Sequence, residues 1–202
     1  MCGRLNVIAD PLCHWVSEQL GLDFITEDKK DLRPTDPVTA IGLEQGKLRS
    51  WHCRWGIQPQ WSKRPLINAR IETVNHKSTF AEAFSNRRML VPVSGWFEWQ
   101  QRPGGKQKWL LRGAEGQPLY MAAIGFEHEQ ERRLVTLTTR PNHQCQHIHS
   151  RMPLLIAPGE VDFFLRSHVD ALQPLLQAEV RVALALDPVN DRAVDSPNLS
   201  LF

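Results

Sequence analysis

Several polar side chains stand inside otherwise apolar segments of the sequence, where they could take part in chemistry. The segment "LINARIET" places Asn68, Arg70 and Glu72 at every second position, so an extended backbone would turn all three to one side. In "SGWFEWQ", Glu98 stands between two aromatic residues, and burial there would raise the pKa of its carboxyl group. In "IHSRMP", His149 and Arg151 stand just before a predicted strand. Each residue also has an ordinary interpretation, because Glu98 could pair with an arginine and His149 could be a surface histidine.

The first residues, "MCGR", offer a second kind of chemistry. Cysteine is small enough for the preceding Met1 to be excised, and Cys2 would then carry both a free amine and a thiol. An α-amine has a pKa of about 7.7–8.0, so a good fraction is neutral at physiological pH. The amine can attack an aldehyde to form a Schiff base, and the thiol can close on the imine carbon. The product is a five-membered thiazolidine, which only an N-terminal cysteine can form in this way.

Metal binding and protease chemistry are the alternatives for the thiols. Structural zinc sites usually pair their ligands at Cx2–4C or Hx3–5H spacing, and the cysteines and histidines of this chain match neither. We therefore predict no metal, and the aldehyde chemistry needs no other cofactor. Cys2, His149 and Asn68 have the residue types of a thiol peptidase site. Such enzymes, however, need their cysteine on a rigid element, and Cys2 stands at the end of the chain. The candidate metal ligands are Cys13-His14, His52-Cys53 and Cys145-x-His147-x-His149.

Short apolar runs predict the sheet that must position these residues. Turn residues at 102–105 and 113–116 predict hairpins. Runs of strands with helices outside them predict an α+β fold, a single domain over residues 1–202 with a mostly antiparallel, curved, barrel-like sheet and peripheral helices. The predicted strands are 38–43, 48–57, 89–99, 108–112, 118–126, 133–139, 152–157 and 180–186.

Apolar residues at helical spacing predict three helices around this sheet. At the first, Asp10 can cap the helix and Pro11 suits its first turn. At the second, Thr79 and Glu82 have the spacing of a capping box. The predicted helices are 10–20, 79–86 and 158–177.

Composition limits the location and the partners of the protein. The chain of 202 residues contains no run of 18 apolar residues, and its N-terminus lacks the apolar core of a signal peptide. We therefore expect an intracellular, cytoplasmic protein with free thiols and no membrane partner. The net charge of +2 is too balanced for a protein that coats nucleic acid by bulk charge, although basic residues could gather on one face.

The motifs taken together resemble a known family, the SOS response-associated peptidase (SRAP) domain. A terminal Cys-Gly-Arg combined with NAR-x-E and WFEW is highly specific, and the matching pieces follow one another in the order of the family. They are "MCGR" at 1–4, "PLINARIET" at 65–73, "GWFEW" at 95–99, "MAAIG" at 121–125, "LTT" at 137–139 and "IHSRMP" at 148–153.

The resemblance implies a sensor of abasic sites in single-stranded DNA. Members of the family crosslink to the ring-opened aldehyde of the lesion and so shield it from strand cleavage. Carried over to this sequence, Cys2 is the nucleophile and Asn68 holds it in place. Glu98 matches the acid/base glutamate, and His149 matches the histidine that would protonate the sugar ring oxygen.

The resemblance also implies a DNA-binding set. We expect Arg4, Arg70 and Arg151 to meet phosphates, because the guanidinium fork matches phosphate oxygens. Trp61 could stack on a base or could pack in the core, and Pro37 aligns with a proline of the family's DNA-facing loop. Further basic residues are expected at the solvated surface: Lys63, Arg64, Arg87 and Arg88.

Two other functions stay open at this point. Members of the family have also been viewed as thiol autopeptidases, so Cys2 could serve cleavage of a polypeptide. The protein could instead bind single-stranded DNA without covalent chemistry. In each case we expect a monomer, associated with the nucleoid when it acts on DNA.

Overall fold

The computed structural model describes residues 3–128 and 131–190. Strands dominate this part of the chain, and the helices are short. The strands are β1 Leu5–Val7, β2 Lys29–Leu32, β3 Pro37–Glu44, β4 Lys47–Trp55, β5 Asn68–Arg70, β6 Arg88–Val93, β7 Gly95–Arg102, β8 Gly105–Gly113, β9 Leu119–His128, β10 Glu131–Thr139, β11 Met152–Pro153, β12 Leu155–Ile156 and β13 Leu184–Val189. The α-helices are α1 Ala9–Leu20, α2 Ala81–Asn86, α3 Val161–Arg166 and α4 Gln173–Gln177.

Five strands close into a barrel. Strand β10 pairs in parallel with β4 and antiparallel with β9, and the ring continues through β6 and β3 back to β4. The interior is filled by large apolar side chains such as Trp55, Leu90 and Ile124, none of which is exposed to solvent. Because four of the five pairings are antiparallel, the predicted α+β fold with a barrel-like, mostly antiparallel sheet is confirmed.

A second, five-stranded sheet lies beside the barrel in the order β13-β8-β7-β1-β2, and we call it the outer sheet. The chain passes from the barrel into this sheet at Ser94, whose N–H donates to the carbonyl of Asn6 over 3.0 Å. The single strand predicted over 89–99 is therefore two strands, β6 and β7. The transition places Glu98 in the outer sheet rather than in the barrel.

The two predicted hairpin turns have different outcomes. Strands β7 and β8 form a hairpin with Arg102 opposite Gly105, and Gly104 adopts a positive φ of 86° in the turn, which glycine tolerates without strain. The turn at 113–116 exists, with Gly116 N–H donating to Gly113 O over 3.0 Å, but it joins β8 to β9 in the other sheet. The second prediction of a hairpin is therefore wrong.

The first two helices are found, but their predicted caps are not. Helix α1 ends at Gly21 with a φ of 64°, whereas its first N–H, from Ala9, donates to the carboxylate of Asp28 over 2.6 Å. Asp10 keeps an extended backbone inside the helix start. Helix α2 has no side-chain cap, because Glu82 pairs with Arg87.

The third predicted helix, 158–177, is broken in the structure. Two short α-helices, α3 and α4, are separated by an extended backbone at Ser167 and a 3₁₀ turn over Val169–Leu172. None of the helices in the described residues is long and apolar enough to cross a membrane.

Arg88, which was expected at the surface, is buried beneath this break and is only 7% exposed. Its Nε atom donates to Phe164 O over 2.7 Å, and its Nη1 atom donates to Phe84 O over 2.8 Å. The guanidinium also reaches the carbonyls of Ser85, Leu165 and Ser167. Arg88 therefore satisfies carbonyls that the ends of α2 and α3 leave without helical partners.

Candidate active site

Glu98 is the most buried ionisable carboxyl group of the candidate site. It lies in the middle of β7 opposite Trp109 of β8, and only 3% of the residue is exposed. Burial disfavours the carboxylate and raises the pKa of Glu98 to about 7. The sequence-based prediction of a raised pKa is confirmed. Near neutral pH this group exists in both proton forms, so it can accept a proton and return it.

His149 lies in the segment between β10 and β11. Its N–H donates to Cys145 O over 3.2 Å in a helical turn, and the ring is half-buried. The backbone N–H of Arg151 donates to Nδ1 of His149 over 3.0 Å, and Arg151 O lies 3.2 Å from the same nitrogen, where it would accept a hydrogen bond in the other tautomer. Burial lowers the pKa of His149, so the neutral ring dominates at pH 7.

One cavity brings these two groups together. It has a volume of about 550 Å³ and lies where the outer sheet meets the segment that follows β10. Glu98 and Gln100 line it from β7, and His147 and His149 line it from the opposite side. A proton-transferring carboxyl group and a neutral imidazole therefore face the same space.

The amino end of the described chain runs toward Glu98. Strand β1 pairs antiparallel with β7, with Leu5 opposite Trp96, and the N–H of Phe97 donates to Arg4 O over 3.0 Å. Continuing this antiparallel register beyond Arg4, which lies opposite Phe97, places Gly3 opposite Glu98. Cys2 itself lies outside the described residues.

Asn68 is held on the barrel side of the site. It is the first residue of β5 and pairs with Thr136 of β10 in parallel register. The hydroxyl of Thr136 donates to Asn68 Oδ1 over 2.5 Å and also lies 3.0 Å from Ile67 O. These bonds fix the amide of Asn68. The residue is not among those that line the cavity of Glu98 and His149.

Arg151, a predicted phosphate contact, is engaged with a carboxylate of the protein. Its Nη1 and Nη2 atoms donate to both oxygens of Glu72 over 2.6 and 2.9 Å, and Nη2 also donates to Thr138 O over 2.6 Å. The side chain of Arg151 is 12% exposed. Hydrogen bonds from Arg151 hold the pKa of Glu72 below its usual range. A phosphate would have to compete with Glu72 for this guanidinium.

The other residues predicted to contact DNA differ in whether their polar groups already have a partner within the protein. Arg4 donates from Nη1 to both carboxylate oxygens of Asp31 over 2.8 and 2.6 Å. Arg70, at the end of β5, is exposed and forms no ion pair with any other described residue. Pro37 is exposed at the start of β3, where its carbonyl accepts from Lys29 Nζ over 3.4 Å.

Trp61 projects from a surface loop. The loop is closed at its base by paired backbone bonds between Ile57 and Leu66, of 3.0 and 2.8 Å. Trp61 is 68% exposed, so the alternative of core packing is wrong. An exposed indole on a constrained loop can offer a face to a nucleic acid base.

The buried thiols of the described chain are poor nucleophiles. Burial raises the pKa of Cys145 to about 12, and the charge of the nearby Glu98 acts in the same direction. Burial also raises the pKa of Cys53 to about 12. Over residues 3–128 and 131–190, no three His, Cys, Asp or Glu side chains are grouped so that they could hold a metal ion.

Sequence reasoning missed Gln100, which joins the two sides of the cavity. Its Nε2 atom donates to His147 O over 2.7 Å. The available signal was its position two residues after Glu98, which puts both side chains on one face of an extended strand. Its partner lies far along the chain, and nothing in the sequence identified that partner.

Comparison with known proteins assigns the chain to a family. The family model described as "SOS response associated peptidase (SRAP)" matches residues 1–196, and the chain belongs to this family. The family assignment made from the motifs is confirmed.

Two relatives illustrate the range of similarity. The chain is 35% identical to the abasic site processing protein YedK of Escherichia coli over 120 residues, which is 57% of this chain and 54% of YedK. The match therefore spans about half the length of YedK. It is 26% identical over 210 residues to the abasic site processing protein YoqW of Bacillus subtilis, with 88% of this chain and 87% of that protein covered.

Solved structures share the fold. A protein from Bordetella bronchiseptica is 18% identical and superposes with a TM-score of 0.79, with 94% of this chain and all of that chain covered (100%). A protein from Bacteroides thetaiotaomicron is 17% identical with a TM-score of 0.76, with 97% of each chain covered.

Proposed function

We propose that this protein captures abasic sites in single-stranded DNA by a covalent bond to Cys2 and so shields the lesion during the response to DNA damage. The observation that carries the proposal is the buried carboxyl group of Glu98. Its raised pKa, its cavity shared with His149 and the approach of Gly3 along β7 together suit an amine-plus-aldehyde reaction. The names of YedK and YoqW, both abasic site processing proteins, support the substrate class.

The reaction begins once Met1 has been removed. The neutral amine of Cys2 attacks the aldehyde carbon of the ring-opened sugar and forms a carbinolamine. Glu98 takes a proton from the nitrogen and returns one to the departing hydroxyl, so water leaves and an imine forms. The thiol of Cys2 then adds to the imine carbon, and its proton passes to the nitrogen. The thiazolidine product equals protein plus DNA minus one water.

His149 and Asn68 prepare the reactants. In the tautomer that accepts the Arg151 N–H at Nδ1, the Nε2–H of His149 can donate to the ring oxygen of the closed sugar and favour the open aldehyde. Asn68, held by Thr136, does not titrate and positions the cysteine through its amide. The same groups can run the steps backward and release the DNA.

We assign the DNA strand to residues outside the lining of the cavity. We assign Arg70 and Arg4 to phosphates beside the lesion, and Arg151 to a third phosphate in competition with Glu72. Trp61 supplies a stacking face, and Pro37 belongs to the DNA-facing loop. We expect the protein to act as a monomer in the cytoplasm, at the nucleoid when it engages DNA.

Intact mass spectrometry tests the proposal directly. The protein is incubated with an oligonucleotide that contains one abasic site, denatured and weighed. The expected species has lost Met1 and gained the oligonucleotide less one water. Cys2→Ala should abolish this adduct, while Cys13→Ala, the matched loss of a thiol on α1, should leave it. An adduct that persists in Cys2→Ala, or a mature protein that retains Met1, contradicts the mechanism.

A thiol autopeptidase is the second candidate, and the description of the family as a peptidase favours it. It would use Cys2 and Glu98 to free the cysteine of the preceding Met1. Intact masses of the wild type and of Glu98→Gln show whether the protein removes its own Met1. Retention of Met1 only in Glu98→Gln would indicate self-processing, whereas equal removal in both proteins would assign the excision to another enzyme.

A further inference from the structure

The side chain of Gln100 ties the β7–β8 hairpin to the segment that carries His149. Its Nε2 atom donates to His147 O over 2.7 Å. Its Oε1 atom accepts from Trp109 Nε1 over 3.1 Å and from Arg102 Nε over 2.9 Å. The rings of Trp109 and His147 also meet edge to face, with centroids 6.2 Å apart.

These partners fix the orientation of the amide. An indole N–H and an arginine Nε–H can only donate, so Oε1 must face Trp109 and Arg102. The carbonyl of His147 can only accept, so the NH₂ group must face it. A carboxylate would lack the donor for His147, and an aliphatic side chain would lose all three bonds. The contact is therefore specific for a carboxamide of this length.

The hydrogen bonds of Gln100 connect the two segments that carry the proposed catalytic groups, Glu98 and His149. Glu98 and Gln100 are two residues apart in β7 and so lie on the same face of the strand, and both line the cavity. On the other side, His147 is two residues before His149 in the same turn. The bond between Gln100 and His147 therefore ties the strand of Glu98 to the turn of His149.

We propose that Gln100 is a positioning residue for the crosslinking reaction, holding the imidazole of His149 at its distance from the carboxyl group of Glu98. The proposal rests on the proposed function and names a residue that acts through two others. Small displacements of reacting groups cost large factors in rate, so a residue that touches no substrate can still control the reaction.

Gln100→Leu tests this role by removing all three bonds without adding charge, and Gln100→Glu replaces the donor to His147 by a charged oxygen. The rate of adduct formation should fall by about tenfold to a hundredfold in both variants. Binding of an undamaged single strand should not change in Gln100→Leu, which adds no charge. The ring signals of His149 in an NMR pH titration, assigned by comparison with His149→Ala, should move in position and midpoint in both variants.

Gln107→Glu is the matched control. Gln107 is the cross-strand partner of Gln100 in the same hairpin, and its Nε2 atom donates to Lys108 O and Val189 O instead of the histidine segment. Its rate and His149 signals should match the wild type. Unchanged His149 signals in both Gln100 variants would overturn the positioning role, whatever the activity. A wild type that forms no Cys2-dependent adduct would instead overturn the proposed function, and the NMR comparison would still decide the role of Gln100.

Discussion

The backbone N–H of Arg151 donates to Nδ1 of His149 over 3.0 Å, and the guanidinium of the same Arg151 is clamped by both oxygens of Glu72. The ring of the histidine is therefore held by the backbone of a residue whose side chain is itself anchored in an ion pair. Through Thr138, which accepts from Arg151, the arrangement continues into β10, next to the strand that carries Asn68. The barrel thus holds His149 from one side and Gln100 holds its segment from the other.

The pH dependence of crosslinking should reveal two groups that must lose a proton. The amine of Cys2 must be neutral, and Glu98, with a pKa of about 7, must be ionised to accept a proton. Below both pKa values, the logarithm of the rate should rise with pH at a slope of about two in the wild type and about one in Glu98→Gln. The variant should also be slower by about 10²–10⁴-fold. Quenched time courses on denaturing gels from pH 5 to pH 9 measure the slope and the rate for each protein. Equal slopes in the wild type and in Glu98→Gln would show that Glu98 is not the base.

Glu98 should also make the free energy of unfolding depend on pH. Its pKa rises from 4.5 to about 7 on folding, so between these values the folded state holds a proton that the unfolded state has released. Stability contributed by this group is present below pH 4.5 and is lost as pH rises to 7. Glu98→Gln does not titrate, so its stability relative to the wild type should increase between pH 4.5 and pH 8, by at most about 3 kcal/mol.

Urea denaturation at the two pH values measures this difference. For each protein, the free energy of unfolding at one pH is compared with its value at the other pH, so any pH-independent change in packing or hydrogen bonding cancels. Glu115→Gln, in the exposed turn after β8, is the control and should show a pH-dependent change within about 0.5 kcal/mol. A pH-independent effect of Glu98→Gln would mean that burial does not perturb its carboxyl group.

The sequence predicted the parts of the fold that local pattern controls. The apolar stripe of α1 and the glycine after it were sufficient to place that helix. The two aromatic neighbours of Glu98 were sufficient to predict a buried carboxyl group. The strand over 89–99 was wrong because its apolar pattern continues across Ser94, and only pairing with other strands shows that β6 and β7 belong to different sheets.

The contacts that position the site were beyond prediction because their partners are distant in sequence. Gln100 meets the carbonyl of His147, and a backbone carbonyl leaves no residue-type signal. Arg151 looked available for phosphate because its partner, Glu72, stands 79 residues earlier in the chain, with three strands of the barrel sheet (β6, β9 and β10) between them. Arg88 looked like a surface residue since arginine is rarely buried, yet helix ends left carbonyls for it to bind.

Arg88 should be among the most sensitive positions for stability. Arg88→Met removes the donors to the carbonyls at the ends of α2 and α3 and leaves those groups buried without partners. We expect a loss of about 3 kcal/mol or more in the free energy of unfolding. Arg88→Lys should recover only part of it, because one ammonium group cannot reach carbonyls on both helices. Arg87→Met, which removes a more exposed pair with Glu82 and one bond from Nε to Gly125 O, should cost less, about 1–2 kcal/mol in the same urea titration.

Trp61 should contribute to DNA affinity without contributing to stability. The indole is 68% exposed on a loop closed at Ile57 and Leu66, so binding need not order the backbone that presents it. Trp61→Ala should weaken binding of a short single strand by about 1–3 kcal/mol, the range for one stacked base. Its thermal midpoint should stay within the small range typical of surface substitutions.

Fluorescence anisotropy of a labelled oligonucleotide, measured in the Cys2→Ala background, isolates this non-covalent step. Phe163→Ala is the control, since Phe163 is also an exposed aromatic residue, 43% accessible, but lies on α3. Trp61→Phe should retain most of the affinity because it keeps an aromatic face. If Trp61→Ala binds as tightly as the parent protein, the DNA does not pass over this loop.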